Sequence, residues 1–209
     1  NAEDIDQVFM GCVLSAGLGQ APARQASLAA GLSQSTPCTT INKMCGSGMQ
    51  SIILAHDNLK AGSSQCIVAG GMENMSQAPY LLPNIRNGYR LGHRETLDHM
   101  MIDGLEDAYS KGKPMGCFAE QCASQFGFTR EQQDVFVLKS LQKARAAIEN
   151  GEFKKEITPV TINLKKEKAV VTEDTGPTTV KAEKIPHLKP VFLADGTVTA
   201  ASSSFISDG

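Results

Sequence analysis

Along the first third of the chain, apolar residues come in short unbroken runs separated by small and polar ones. "DQVFMGCVL" (6–14) is such a run, and it predicts a strand covered on both faces, since a half-exposed strand would alternate. "APARQASLAAG" (21–31) then has helical character, with Pro22 suited to a first turn and Gly31 to a C-terminal cap. "TTINKM" (39–44) predicts a second strand. Residues 47–61 predict a helix with Ile52, Ile53, Ala55 and Leu59 on its apolar side, and "QCIVAGGME" (65–73) a third strand. Strand–helix–strand–helix–strand is the pattern of a parallel sheet in an α/β fold.

Beyond residue 74 the pattern changes. Arg24, Lys43 and Lys60 are the only Lys/Arg residues in 1–74, a stretch rich in Gly, Ala and Ser, whereas 75–205 is dense in both signs of charge. We read 1–74 as a buried α/β layer and 75–205 as a more solvated insertion. "LLPNIRNGYRLGHRETLDHM" (81–100) predicts a loop. Residues 129–150 predict a helix with a capping box of Thr129 and Gln132, an apolar face of Val137, Leu141, Ala144 and Ile148, and a stop at Gly151. "EITPVTINL" (156–164) and "KAVVTE" (168–173) predict short alternating strands. "VFLADGTVTAASSSFISDG" (191–209) predicts a strand–turn–strand about Asp195-Gly196, followed by a loop of small residues.

Composition narrows the function classes. The chain has 209 residues, 41% hydrophobic and 20% charged, with a formal net charge of −2. A near-neutral balance lacks the basic excess that a nucleic-acid footprint needs. No apolar run reaches the roughly 18 residues of a membrane span, and no signal-peptide pattern opens the chain. The six cysteines show neither CxxC spacing nor clustering with histidine, so they predict reduced thiols in an intracellular protein and no metal site. A start at Asn1 without Met and a stop at "FISDG" predict that both ends are cut.

Cys45 stands where the second strand gives way to the second helix, followed by Gly46, Ser47 and Gly48. Free cysteine is most often small core filler, and Cys12, Cys38, Cys66, Cys117 and Cys122 keep that reading. A sulfur at a helix N-terminus differs, because unpaired backbone N–H groups and the positive end of the macrodipole favour thiolate over thiol. A nucleophile at neutral pH needs that preference. Gly46 and Gly48 would let the chain turn sharply and leave room for an acyl group, and the Cys45 N–H could serve a developing oxyanion. Its place at the carboxyl end of a parallel strand is where functional groups gather in such sheets.

"NKMCGSGMQS" (42–51), "VAGGMENMSQAPY" (68–80), "MGCFAE" (115–120) and "GTVTAASSSFISDG" (196–209) resemble the thiolases, in particular the short-chain acetyl-CoA acetyltransferase branch. The opening "MGCVLSAGLGQAPARQA" (10–26) resembles the same family, so the likeness runs colinearly through the chain. It implies the thiolase fold, layered αβαβα, with 1–74 and 206–209 in the N-terminal half-domain and 75–205 as an inserted α+β loop domain that holds coenzyme A. It also implies residues missing before Asn1 and a C-terminal half-domain absent after Gly209.

By that resemblance Cys45 is the nucleophile that becomes acylated, and a second acetyl-CoA, deprotonated at its α-carbon, attacks the thioester to give acetoacetyl-CoA. A 3-ketoacyl-CoA thiolase of β-oxidation is the alternative, as is, in another class, a non-catalytic CoA-binding fragment. Leu105, Met115, Phe192, Ala200 and Ser204 match positions along the CoA path. Coenzyme A enters as substrate and product, with no further cofactor and no metal. The implied partners are acetyl-CoA, acetoacetyl-CoA, CoA and further copies of the chain in a dimer or tetramer, with neither nucleic acid nor membrane. The implied location is cytoplasmic, a mitochondrial one staying open with the start missing.

This chain departs from the family in places. It has Pro114 where a histidine often precedes Met-Gly, Ser202 for an asparagine, and Phe205 for a glycine. Lys181 or Lys184 stands near where an arginine is often found. The family's activating histidine, second cysteine and water-holding asparagine fall in the C-terminal half. His56, His93, His99 and His187 match none of them and read as packed or solvated side chains.

Overall fold

The computed structural model describes residues 1–163 and 167–209. Two compact units form, one of Asn1–Met115 with Ile206–Gly209, the other of Gly116–Phe205. The second unit therefore begins at Gly116, later than the residue 75 suggested by charge density. Charge follows exposure to water, whereas residues 75–115 are held to the first unit by contacts. Buried His99, for example, accepts the Ala16 N–H at Nε2, 3.4 Å away.

In the first unit, β1 (Gln7–Gly11) is the centre of a three-stranded parallel sheet, with β2 (Cys38–Ile41) on one side and β3 (Ile67–Gly71) on the other. Val8 lies beside Cys38 and Val68, and Gly11 beside Ile41 and Gly71. The unbroken apolar run of β1 is explained by this central place, and Val8, Phe9, Cys12 and Leu14 are all buried. Helix α1 (Pro22–Ala29) starts on its proline and is followed by Gly31 in the left-handed region at φ +84°. The loop expected at 81–100 is bounded by β4 (Tyr80–Leu81) and β5 (Leu97–Asp98), an antiparallel pair that ties the ends of the segment together.

Helix α2 spans Ser47–Ala61, as the periodicity predicts, but it buries a different face. Ser47, Ser51 and Ala55 are inside, while Ile52, Ile53 and Leu59 are exposed on this chain. The helix lies too close to the sheet for large side chains. A Cβ on Gly11 would fall 2.5 Å from the Ser47 carbonyl carbon and 2.6 Å from the Gly48 nitrogen. The Ser51 hydroxyl fits the narrow gap, 2.6 Å from the carbonyl oxygens of both Gly48 and Gly70.

The second unit is built on α3 (Met115–Phe126), whose first residue closes the first unit, and α4 (Arg130–Glu149). The capping box of α4 forms: Thr129 Oγ1 accepts the Gln132 N–H at 3.3 Å and Gln132 Oε1 accepts the Thr129 N–H at 2.9 Å. Gly151 follows it at φ +70°. Strands β6 (Val160–Asn163) and β7 (Lys168–Val171) pair antiparallel; Leu164, expected in the first, lies outside the described residues. The predicted strand pair at 191–199 is reduced to one bridge between Pro190 and Thr199. The N–H groups of Thr197 and Val198, which a ladder would use, are taken by the Glu120 carboxylate.

Candidate active site

After β2 ends at Ile41, a tight turn places Cys45 just before α2. Asn42 Oδ1 accepts the Met44 N–H at 3.1 Å, and Ser47 Oγ accepts the Lys43 N–H at 2.8 Å while donating to the Met44 carbonyl at 2.5 Å. The left-handed residue of this turn is Met44, at φ +49°, and not Gly46, whose φ is −90°. A non-glycine residue in that region carries strain that its surroundings must hold. Gly48 lies against Gly70 and Gly71, and a Cβ on it would meet them at 3.9 Å, ordinary contact, so the close approach of α2 rests on Gly11 and not on Gly48. Cys45 itself is exposed.

Beside it opens a mostly apolar cavity of about 330 Å³. Its walls come from the carboxyl ends of all three parallel strands, as Gly11 and Val13, Met44, and Gly71 to Glu73, with Leu14 and Leu105 added. Glu73 accepts the N–H groups of Val13 at 2.8 Å and Leu14 at 2.9 Å, fixing the chain after β1. It also lies 3.7 Å from the Cys12 sulfur. Burial pushes the Cys12 thiol up from its ordinary value, and the negative charge of Glu73 adds to the shift. Asp208 accepts the Ser76 N–H at 2.9 Å, and such backbone donation holds its carboxyl below the usual range.

Leu105 reaches the cavity from a π-helical turn, Met101–Leu105. Within the same segment His99 Nδ1 stands 2.7 Å from Asp103 Oδ2. With Nε2 accepting from Ala16, the bonding pattern assigns the ring proton to Nδ1. Neither His99 nor Asp103 lines the wall beside Cys45.

The second unit has its own cavity, of about 520 Å³, between α4 and the chain from Pro177 to Phe205. Val137, Leu141, Ala144 and Ile185 make its apolar floor. Ala200 is on its wall; Ser204 is exposed and its neighbours Ser203 and Phe205 take the wall positions. Arg145 is committed to the carbonyls of Pro177, at 3.0 Å, and Val180, so Lys181 and Lys184 are the cations on this wall. Phe192 packs over Gly116, where a Cβ would fall 2.2 Å from its ring. Met115 is exposed and lies in the first unit.

Of the expected site residues, Cys45 and Leu105 thus share one cavity and Ala200 lines another. Glu73 and Glu120 escaped the reading of the sequence. Each is a carboxylate accepting backbone N–H groups far along the chain, and the only local signal is an acidic residue following the small residues of "AGGME" or inside the apolar "GCFAEQC".

The family model described as Thiolase, N-terminal domain matches residues 1–209. The chain belongs to the thiolase family. A probable acetyl-CoA acyltransferase of Staphylococcus aureus strain COL is 48% identical over 211 residues, covering 100% of this chain and 53% of that protein. The protein of the same description from strain MRSA252 is 47% identical, with the same coverage. Among solved structures, the crystal structure of the Acat5 thiolase from Ascaris suum in complex with coenzyme A superimposes with a TM-score of 0.91 at 40% identity, covering 100% of this chain and 53% of that one.

The thiolase chain therefore spans about half the length of the curated relatives it matches. Its fold is that of a thiolase N-terminal domain, α/β with a parallel sheet, in agreement with the strand–helix alternation in the sequence. The six cysteines are free, and Cys66 and Cys122 are exposed here, not core filler; Cys122 lies on the outer side of α3. Cys66 precedes β3, outside the buried run. Among the described residues no helix is long and apolar enough to cross a membrane, and no group of three or more His, Cys, Asp or Glu is placed to hold a metal ion.

Proposed function

We propose that this thiolase domain supplies the nucleophile and much of the coenzyme A site of an acetyl-CoA C-acetyltransferase, with Cys45 as the acylated residue. The observation that carries the reading is an exposed thiol at a cavity where the carboxyl ends of three parallel strands meet the start of a helix. The Cys45 thiolate attacks the acetyl-CoA carbonyl, the bond to the CoA sulfur breaks, and CoA leaves as a thiolate that takes a proton. A second acetyl-CoA gives up its α-proton to a base, and its carbon attacks the Cys45 thioester. The new carbon–carbon bond forms as the bond to Cys45 breaks, yielding acetoacetyl-CoA. A thioester keeps the acyl group reactive, so the sequence also runs backwards as thiolysis.

Coenzyme A as the acyl carrier is supported by the description of the S. aureus relatives and by the ligand of the Ascaris suum thiolase. The apolar cavity of the second unit, with Lys181 and Lys184 on its wall, suits a chain-like ligand carrying phosphates. In this reading Leu105, Met115, Phe192, Ala200 and Ser204 lie along the carrier, and the working protein is a cytoplasmic homo-oligomer. In this reading the cavity at Cys45, with Leu14, Met44 and Leu105 in its wall, receives the acetyl group.

The test is thiolysis by the natural full-length protein, comparing acetoacetyl-CoA with a long-chain 3-ketoacyl-CoA. We expect kcat/KM to favour acetoacetyl-CoA. The reverse preference would assign the protein to β-oxidation, and no thiolysis of either would remove the enzymatic reading.

A further inference from the structure

We propose that Glu120 is a positioning residue for the acyl carrier: it holds the turn Gly196–Val198 so that the chain from Thr199 to Ser203 forms a wall of the second unit's cavity. This rests on reading that cavity as the coenzyme A site. Glu120 projects from α3 and is 5% exposed, yet among the described residues it has no ion-pair partner. Its charge is met by hydrogen bonds alone. The Thr197 N–H lies 2.9 Å from both carboxylate oxygens, the Thr197 hydroxyl donates at 3.0 Å, and the Val198 N–H donates at 2.8 Å.

The turn is shaped around the carboxylate. A Cβ on Gly196 would fall 2.2 Å from Glu120 Oε1, so no other residue type fits there without moving the acid. Thr197 Oγ1 also accepts from Gln133 Nε2 at 2.8 Å, which ties the turn to α4, the helix forming the cavity floor. Beyond the turn, buried Thr199 anchors the next segment: its N–H donates to Ser202 Oγ at 2.9 Å, and Ser203 Oγ donates to its carbonyl at 2.8 Å. Ala200, Ala201 and Ser203 then face the cavity.

Burying a carboxylate without a cation is costly, and a strand partner would satisfy two backbone N–H groups without it. What the carboxylate adds is a fixed acceptor that faces Thr197 and Val198 together while the chain curves away from sheet geometry toward the cavity. The groups bonded to it are therefore those of the turn, Thr197 and Val198, and the effect of losing it is expected on carrier binding, not on Cys45, which belongs to the other unit.

The experiment uses the natural full-length protein and its Glu120→Gln and Thr197→Val variants. CoA dissociation constants are measured by calorimetry, and the rate of Cys45 alkylation by iodoacetamide is measured on the same samples. For Glu120→Gln we expect CoA binding weakened about tenfold, alkylation of Cys45 within about twofold of the parent, and kcat/KM for CoA reduced more than kcat. Thr197→Val should weaken CoA binding severalfold with the same pattern, and it decides the matter if Glu120→Gln does not fold. Unchanged CoA affinity in a folded variant would overturn the proposal. So would a parallel loss of CoA binding and Cys45 reactivity, which would make Glu120 a general structural support. Failure of the parent protein to bind CoA would instead overturn the reading of the cavity.

Discussion

Cys12 and Cys45 stand at the ends of adjacent strands, and their sulfurs meet different surroundings. Cys12 is buried beside Glu73, and both burial and the neighbouring charge disfavour its thiolate. Cys45 is exposed on a turn whose strain falls on Met44. Brief incubation with acetyl-CoA, acid quench and peptide mapping should therefore place the acetyl group in the peptide containing "MCGSGMQ", with Cys12 unlabelled. Acetyl on Cys12 or any other cysteine would remove Cys45 as nucleophile. Cys45→Ser should lower thiolysis by several orders of magnitude while leaving the melting temperature close to the parent's, because a hydroxyl is scarcely ionised at neutral pH.

At the scale of elements, the glycines decide how α2 meets the sheet. Gly11→Ala would drive a methyl into the backbone of Ser47 and Gly48, 2.5 and 2.6 Å away, and neither atom can swing aside. We expect a loss of about 1–3 kcal/mol in urea unfolding. Gly48→Ala meets its nearest atoms at 3.9 Å, ordinary contact, so it should stay within about 1 kcal/mol of the parent. Equal losses from the two changes would mean that α2 sits farther from β1 than it does here. The same spacing explains what the sequence conveyed and what it did not. The span of α2 and the capping box of α4 are written in neighbouring residues, so periodicity finds them. Which face α2 buries depends on glycines in two strands, and Ile52, Ile53 and Leu59 mislead any reading of that helix alone. The failed strand pair at 191–199 has a similar cause: its N–H groups answer to Glu120, far back in the chain.

Glu120 also makes the second unit sensitive to acid. Burial pushes its carboxyl up, but the hydrogen bonds from Thr197 and Val198 outweigh this and hold it below the ordinary value of 4.5. A carboxylate depressed in the folded state stabilises it above the unfolded pKa, and the stabilisation is lost as pH falls through the folded value. Hydrogen exchange corrected for intrinsic rate should show the amides of Thr197 and Val198 protected at pH 6. Protection should fall as pH drops through the depressed folded-state value of this carboxyl, and Glu120→Gln should remove that dependence. Protection that is flat with pH in the parent would show that the amides do not depend on the charge.

At the scale of the molecule, acylation and condensation make different demands on chemistry. The first needs a sulfur nucleophile and a place for the acyl group, and the first unit sets the exposed Cys45 beside a cavity. Condensation further needs a base for the α-proton of the second acetyl-CoA and donors for the resulting enolate. Among the described residues, the wall beside Cys45 offers one ionisable side chain apart from the cysteine, Glu73, and its carboxylate already receives the N–H groups of Val13 and Leu14. Residues 1–209 expressed alone should therefore form the acetyl thioester at Cys45 but condense or thiolyse at a rate at least 10²–10⁴-fold below the natural full-length protein, roughly the loss typical of one missing acid–base group. Met49, Ile52 and Ile53 on the outer side of α2 should also make this piece associate at micromolar concentration, since a cluster of that kind seeks cover. Rapid-quench labelling, a thiolysis assay and sedimentation on the same preparation separate the three expectations. Full thiolysis by monomeric 1–209 would show that the first unit carries its own base, and Glu73 would be the first residue to replace, as Glu73→Gln.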